Sequence, residues 1–599
     1  MIIVDVAQVL ANHDGGTGPL QLRPLAALEP RREPYVALLC QPDGTIHASD
    51  ARIGNSDPVA AAPMYAAFLT RAVSSQAQLV VTPEYSTPWS LIDEIARGTM
   101  RPPDGAVWVL GCESITPDEL ETRAAQINGN PGTRLLHEPF EAIQRAQRAF
   151  VDPVVFVFWA VDQSGSNVLS FLVQFKSVVS RDPDHVELKH LYLGKNVYKF
   201  TPRVGEISLI TLICSDAFEF SNELVDLHYR NLLLLHIQLN QRPGHIDYAG
   251  YRLRLFAVAS NSTVEVVCLD WSTAVAVEGG NGLWKSIAGS AWYVSPMCLT
   301  VADAEVNQLH KDGVYYSIVG DRWHVFYLNY SPHALLLRKV RVFSTGPQAL
   351  AARLAPEVVE RTVWNREQGA WLPGTADDGF TTFMEAYAPL RPALPELCGQ
   401  DPLAVERALE LLEGPDGNVA AWYALKELGS IRVGDEESIR RVTVIQETTA
   451  QRHGVIYRKK RARLAQTAVS VSGEPVDWPA SLADLAAGFR FRWSAESPHD
   501  NVRAVAGGRP AAFVYLGENP ETDTLSNAYA KLSKARKIHS FSQAVGTGKD
   551  PVDAATQAED RLCVAYRTGQ VLAFYRPTGY ASITDSAGAG LDDITGEAE

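Results

Sequence analysis

The sequence predicts an α/β fold over residues 35–345, followed by a separate α+β region over 346–585. Three observations lead there. Short runs of β-branched and aliphatic residues alternate with helix-length polar segments, the rhythm of a layered α/β domain. Several of those runs stop on a charged or nucleophilic residue, as Leu79-Val80-Val81-Thr82-Pro83-Glu84, Phe171-Leu172-Val173-Gln174-Phe175-Lys176 and Ile207 to Cys214 do. Beyond residue 346 the rhythm changes to helical stretches first and strand-like runs later.

Taken in order, residues 1–34 form a leader with Gly15-Gly16, several prolines and Arg31-Arg32. Tyr35 to Cys40 reads as the first core strand, and a helix over about 58–77 should precede the Glu84 strand. Val107 to Cys112 is the next strand, ending beside Glu113. Val154 to Ala160, a turn at Gln163-Ser164-Gly165 and the Lys176 strand follow. After Cys214 the pattern gives a short helix near 219–229, the apolar run Leu232 to Leu239, and a helix from Tyr248 to Ser260 carrying Arg252 and Arg254. Val264 to Trp271 is a further strand, with Gly289-Ser290 and Tyr315 to Val319 closing the domain. In the second region Pro402 to Leu412 and Ala420 to Leu428 read as helices, and Ala511 to Leu516 and Leu562 to Phe574 as strands. Residues 586–599, rich in Gly, Ala and acid, read as a frayed tail.

Chemistry concentrates at the strand ends. A buried strand that stops on Cys214 and turns into Ser215-Asp216 puts a thiol where the next backbone N–H groups can face a reacting oxygen. Strands of one sheet can bring Glu84 and Lys176 to the same edge, whatever their sequence distance. Singly, each residue has an ordinary reading: a buried core thiol, a surface or capping glutamate, an edge lysine. Their joint occurrence, with Glu187 and Gly194 following Lys176, favours a site.

On these residues the chain resembles the nitrilase superfamily of carbon–nitrogen hydrolases. Thr82-Pro83-Glu84 is similar to that family's Pro-Glu strand end, Gln174-Phe175-Lys176 to its Tyr-x-Lys, and Leu212-Ile213-Cys214-Ser215-Asp216 to its Ile-Cys-x-Asp. Glu187, Gly194 and Phe200 resemble its Glu…Pro-Gly…Phe stretch. The resemblance implies an α-β-β-α sandwich over 35–345 and a catalytic triad: Cys214 as nucleophile, Glu84 as general base and acid, and Lys176 as oxyanion stabiliser. It also implies an auxiliary Glu187, no metal or organic cofactor, and association into a homo-oligomer. Lys189, in Glu187-Leu188-Lys189-His190-Leu191, mimics a Lys-x-His-Leu variant of the lysine motif, but only Lys176 leaves Glu187 and Gly194 in register behind it. Ser215 stands where the family carries an aromatic, which leaves the pocket open. Ser215, Trp89, Glu113, Asp270 and Trp271 are candidates for its wall, with Glu113, Asp270 and Trp271 expected to bind substrate.

The implied substrate is a small-molecule amide rather than a nitrile. The C-terminal part is then a recognition, oligomerisation or regulatory module. Two other readings stay open: a conditional effector of microbial signalling or antiviral defence, triggered by protein or nucleic acid through the C-terminal half, and a catalytically silent binding scaffold. Glutamine-dependent NAD synthetases join a similar first domain to a large partner, but their Ser-Gly-Gly-x-Asp-Ser loop does not occur here.

Composition agrees with a globular multidomain protein, at 599 residues, 46% hydrophobic and 21% charged. A net charge of −15 argues against whole-molecule attraction to nucleic acid or anionic membrane. Seven scattered cysteines without CxxC pairs point to reduced thiols, not a disulfide frame or zinc site. The first residues lack a signal-peptide pattern and no apolar stretch spans a bilayer, so the expected location is cytoplasmic. Gly546-Thr547-Gly548-Lys549-Asp550 has Gln543 and Asp550 where a P-loop needs Gly and Ser or Thr. The basic run Arg452 to Arg463 reads as a solvated helix face.

Overall fold

The computed structural model describes residues 1–12, 18–29, 33–98, 100–180, 186–201, 207–240, 246–258, 264–272, 275–278, 290–294, 314–319, 323–328, 332–339, 356–374, 474, 477–492 and 499–577. The helices expected at 402–412 and 420–428, the basic run and the tail lie outside the described residues, as does Gly289. The chain divides into two compact units: residues 1–300, 308–316 and 322–377, and residues 301–307, 317–321 and 378–599. The first unit thus runs past 345, because Glu357–Asn365 and Ala370–Pro373 add antiparallel strands to one of its sheets.

That unit is built on two sheets. One includes, in order, Ile2–Asp5, Asn196–Phe200, Ser208–Ile213, Leu232–Ile237, Val264–Leu269, Ala291–Val294 and Trp323–Leu328. The other runs Ala370–Pro373, Glu357–Asn365, His333–Lys339, Tyr35–Gln41, Leu79–Thr87, Val107–Cys112, Pro153–Val161, Asn167–Phe175 and Thr133–His137. Their central strands are covered on both faces, which is why they read as unbroken apolar runs rather than alternating ones.

The sheets pack face to face. Phe156 and Phe158 meet Phe200 at ring-centroid distances of 5.0 and 5.3 Å. Gln174 Nε2 donates to the Thr211 carbonyl across the interface (2.9 Å), and its Oε1 accepts from the Tyr198 N–H (2.9 Å). A buried ion pair, Lys339 Nζ to Glu265 Oε1 at 3.1 Å, ties the sheets a second time. Helices Pro58–Ser74, Trp89–Arg97 and Pro117–Asn128 bury Tyr65, Phe68, Leu91, Ile92, Ile95 and Leu120 in one core with Trp108, Leu110, Val155 and Val157. On the other outer face, helix Ile246–Val258 rests Phe256 on Tyr293, 5.4 Å between rings. The layers are α-β-β-α, as the sequence resemblance implies.

Among the described residues of the second unit, strand Ala512–Glu518 runs parallel to Leu562–Thr568, which hairpins into Val571–Phe574. Helix Thr522–Thr547 lies between the parallel pair in sequence. It ends on Gly548 in the left-handed conformation, φ 71°. Gly546 to Lys549 is therefore a helix C-terminus, presenting carbonyls where a phosphate loop presents N–H groups. Arg561 closes this unit with a two-pronged pair to Asp484, at 2.6 and 2.9 Å.

Candidate functional site

Sheet register brings the strand ends together. Ile213 pairs with Ile237, and Ile237 with Leu269, so Cys214, Gln238 and Asp270 leave one sheet side by side. In the other sheet Phe175 pairs antiparallel with Pro153, which sets Lys176 beside Asp152; the Lys176 N–H donates to the Asp152 carbonyl at 2.9 Å.

Glu84 does not simply end its strand. The strand runs on to Thr87, but its pairing with Val107–Cys112 slips between Thr82 and Thr87, the signature of a bulge. Tyr85 takes φ 56° there, Ser86 Oγ donates to the carbonyls of Pro83 (2.7 Å) and Gly111 (3.0 Å), and the two threonine hydroxyls bridge the slip at 2.8 Å. The pairing advances from Thr82 to Thr87 on this strand but only from Leu110 to Cys112 on its partner. The residues bulged out between turn the Glu84 carboxylate into the interior.

Lys176 is buried and its ammonium donates to Glu84 Oε1 at 2.7 Å and Glu187 Oε1 at 2.8 Å, with Asp152 Oδ2 at 3.6 Å. Glu84 Oε2 accepts the Leu239 N–H at 2.5 Å. Glu187, on helix Val186–His190, also accepts from Tyr85 OH (2.9 Å) and from the Ser180 N–H (2.7 Å). The ammonium stands 5.9 Å from the Tyr85 ring centroid. Lys189, on the same helix as Glu187, is exposed. Gly194 explains the spacing behind Lys176: its N–H donates to the Lys176 carbonyl at 2.9 Å, and a Cβ there would lie 2.7 Å from the Phe175 carbonyl oxygen.

Cys214 opens a 3₁₀ turn, Cys214–Phe218, at φ 43°. A non-glycine residue in that region carries about 1–3 kcal/mol of strain and must be held. Two groups hold it. Asp216 Oδ2 accepts the Ile213 N–H (3.1 Å), while its Oδ1 accepts from Ser177 N, Ser177 Oγ and Val178 N at 2.7, 2.9 and 3.1 Å. His236 Nε2 pairs with the Cys214 carbonyl at 2.8 Å and Nδ1 with Tyr251 OH at 2.8 Å. Burial, and then the Arg252 charge, push His236 down to about 3, so it is neutral. A carbonyl only accepts, which assigns the proton to Nε2.

The electrostatics are those of a closed acid–base set. Burial and the Glu84 charge push the Cys214 thiol well above its ordinary range, against the pull of Lys176, so it rests protonated. Burial raises the Glu84 carboxyl, opposed by Lys176. Burial works against the Lys176 ammonium, but Glu187 and Glu84 hold it well above the usual lysine range. Glu187 is buried too, yet Lys176 and Ser180 keep its carboxyl low. Burial lifts Asp216 to about 6, although the Ser177 and Ile213 N–H groups pull the other way.

The remaining expected site residues separate. Trp271 Nε1 donates to the Glu84 carbonyl at 2.7 Å. Asp270 Oδ1 accepts from Asn240 N (3.1 Å) and Trp271 N (2.8 Å), beside the residue whose amide holds Glu84. Glu113 instead binds Asn55 through its N–H (3.0 Å) and Nδ2 (2.7 Å), and the Trp89 indole donates to the Glu113 carbonyl at 2.8 Å. Ser215 Oγ donates to the Val178 carbonyl at 2.6 Å, an anchor for the turn. Three residues join that the sequence did not single out: Asp152, Tyr85 and Tyr248, whose hydroxyl lies 3.9 Å from Cys214 Sγ and whose ring packs 4.8 Å from Phe218.

Asp216→Asn tests the clamp. An amide can satisfy the donors on only one side, so either Ile213 N–H or the Ser177–Val178 pair loses its acceptor. We expect about 1–3 kcal/mol of lost stability in urea titration, together with a changed rate of Cys214 alkylation.

No family model and no curated protein match the chain. Among solved structures, an amidase from Nesterenkonia sp. aligns at 15% identity over 41% of this chain and 80% of its own, with a TM-score of 0.24. A glutamine-dependent NAD+ synthetase from Acinetobacter baumannii aligns at 12% identity over 76% of this chain and 70% of its own, TM-score 0.30. A CN-hydrolase superfamily protein from Xanthomonas campestris aligns at 13% over 44% and 82%, TM-score 0.24. The N-terminal part of this chain is similar in structure to nitrilase-superfamily amidases and to a CN-hydrolase superfamily protein.

Proposed function

We propose that the first unit hydrolyses a carbon–nitrogen bond of a small amide through Cys214, Glu84 and Lys176. The observation that carries this reading is one buried ammonium hydrogen-bonded to Glu84 and Glu187, with both Lys176 and Glu84 acting on the thiol at the strained strand end. Glu84 takes the thiol proton; its raised carboxyl suits that transfer better than an ordinary glutamate. The Cys214 thiolate attacks the amide carbon, and the oxygen that gains charge is met by Lys176 and by the Ser215 N–H. Donors set in advance for such an oxyanion are worth about 3–4 kcal/mol each. Collapse of the intermediate breaks the C–N bond, and ammonia or an amine leaves with the proton held on Glu84. Water, deprotonated by Glu84, then cleaves the thioester and restores the thiol. Glu187 holds Lys176 in place without itself moving a proton. The C-terminal region serves as a recognition, oligomerisation or regulatory module.

The test is ammonia release from a panel of amides, nitriles and ureido compounds, by wild type beside Cys214→Ala. Release by wild type that disappears in Cys214→Ala is the expected result and identifies the substrate class. Release that survives the substitution would overturn the assignment. Silence from wild type, with Cys214 reactive toward iodoacetamide, would point to the triggered effector, and silence with an inert thiol to the scaffold.

A further inference from the structure

The proposed chemistry uses two of the three acids that meet at Lys176, Glu84 and Glu187, and leaves Asp152 without a task. Asp152 is 0% exposed and sits at the start of strand Pro153–Val161. Oxygens of Glu84, Asp152 and Glu187 lie within 4.8 Å of one another around a single ammonium. Three ionised carboxylates there would leave two uncompensated negative charges sealed from water, so one acid must keep its proton.

The donors decide which. Glu84 accepts from Lys176 and the Leu239 N–H. Glu187 accepts from Lys176, Tyr85 OH and the Ser180 N–H. Among the described residues neither Asp152 oxygen accepts a hydrogen bond, and its nearest cation, Lys176 Nζ, stays at 3.6 Å. An anion with no donor is the least favourable of the three to bury. We infer that Asp152 is a neutral carboxylic acid in the resting protein, donating its hydrogen to the Glu84 carboxylate and so setting the charge of the site. Burial and the neighbouring Glu84 charge both act to keep that proton on.

This inference rests on the Glu84–Lys176–Cys214 reading and adds a role to it. The groups facing Asp152 are Glu84 and Tyr85 on the bulged strand, Cys112 on Val107–Cys112, Lys176, and Glu187 on its helix. A protonated Asp152 leaves Lys176 to Glu84 and Glu187. If it ionised, it would compete for that ammonium and add a second negative charge to the set that already opposes the Cys214 thiolate. Asp152 is thus a positioning residue: it acts on the nucleophile through Glu84 and Lys176.

The experiment compares the full chain with Asp152→Asn, which is also neutral and can donate to Glu84. Cys214 is alkylated by iodoacetamide across a pH series, with Cys214→Ala as the blank. The two proteins should react alike at neutral pH, and wild type should fall behind as the pH rises and Asp152 ionises. A further negative charge on the set that opposes the thiolate, and competition for Lys176, both raise the thiol, and one unit of that rise is about tenfold in thiolate. If Asp152 were already ionised, Asp152→Asn would react about tenfold faster at neutral pH, and the inference would fall. The infrared difference spectrum of wild type minus Asp152→Asn gives a second readout. A protonated-carboxyl C=O band, present only in wild type, is expected; its absence overturns the inference. Should Asp152→Asn not fold, Asp152→Ser serves in both measurements. A thiol that resists alkylation at every pH would defeat the nucleophile reading, while the infrared band would still decide the state of Asp152.

Discussion

Replacing Lys176 with methionine should cost the fold about 3–5 kcal/mol at neutral pH, the loss expected when one partner of a buried charge set is removed. Methionine keeps the volume and the apolar stem, so the loss comes from charge rather than from a cavity. Glu84 and Glu187 would each lose their ammonium donor, and Asp152 its nearest cation. The pH dependence distinguishes this from ordinary core damage. In wild type Lys176 helps hold the Glu187 carboxyl below its usual value; without it, burial and mutual repulsion raise all three acids. A carboxyl raised in the folded state contributes stability that is fully present below its unfolded value, about 4, and is lost as the pH rises through its folded value. Lys176→Met should therefore recover stability on acidification from pH 8 to pH 5 in a way wild type does not. Urea midpoints at the two pH values measure it, and an equal deficit at both would refute the charge explanation. Ammonia release should fall by about 10²–10³, the effect of removing one oxyanion donor.

The strand ends were legible because of what a two-sided burial demands. A strand covered on both faces must be apolar throughout, so a thiol, lysine or glutamate at its limit stands out. Parallel strands such as Ser208–Ile213 and Leu232–Ile237 all expose their C-terminal limits on one edge, which is why Cys214 could be found by reading forward. Asp152 escaped because Pro153–Val161 runs antiparallel to Val107–Cys112. In such a strand the residue at the shared edge precedes the apolar run, and Asp152-Pro153 looks like a turn. Glu113 shows that lying at the right edge says nothing of where a side chain finds its partner: its carboxylate accepts from Asn55. Tyr248 and Tyr85 carry no sequence signal. One opens an amphipathic helix, and the other depends on a bulge that no periodicity records. The first unit reaches beyond 345 through Glu357–Asn365, an only partly buried strand without the apolar run of the inner strands, so the sequence carries little sign of it.

The bulge that delivers Glu84 depends on a glycine of the neighbouring strand, Gly111 in Val107–Cys112. A Cβ on Gly111 would lie 2.0 Å from the Pro83 carbonyl oxygen, 2.5 Å from its carbon and 2.9 Å from the Glu84 nitrogen. These are backbone atoms, with no rotamer to move them aside. Gly111 is also tied on both sides, its N–H donating to Thr82 Oγ1 at 3.0 Å and its carbonyl accepting from Ser86 Oγ at 3.0 Å. Gly111→Ala therefore has to push the Pro83–Glu84 peptide off the neighbouring strand. Overpacking a rigid site costs about 1–3 kcal/mol and sometimes more, and the upper part of that range is expected here. A 1 Å displacement of a catalytic group costs about 10²-fold in rate, so ammonia release should fall far more than stability does. Gly250→Ala is the control. That glycine lies within helix Ile246–Val258 with nothing inside 4 Å of its added Cβ, and alanine there should stabilise by about 0.5–1 kcal/mol. Urea midpoints and ammonia release measured on both variants separate the two cases. Equal, mild effects would mean that the close approach at Pro83 does not govern where Glu84 sits. Opposite signs in stability, with activity lost only in Gly111→Ala, would show that a methyl group's worth of space on one strand fixes the general base on the next.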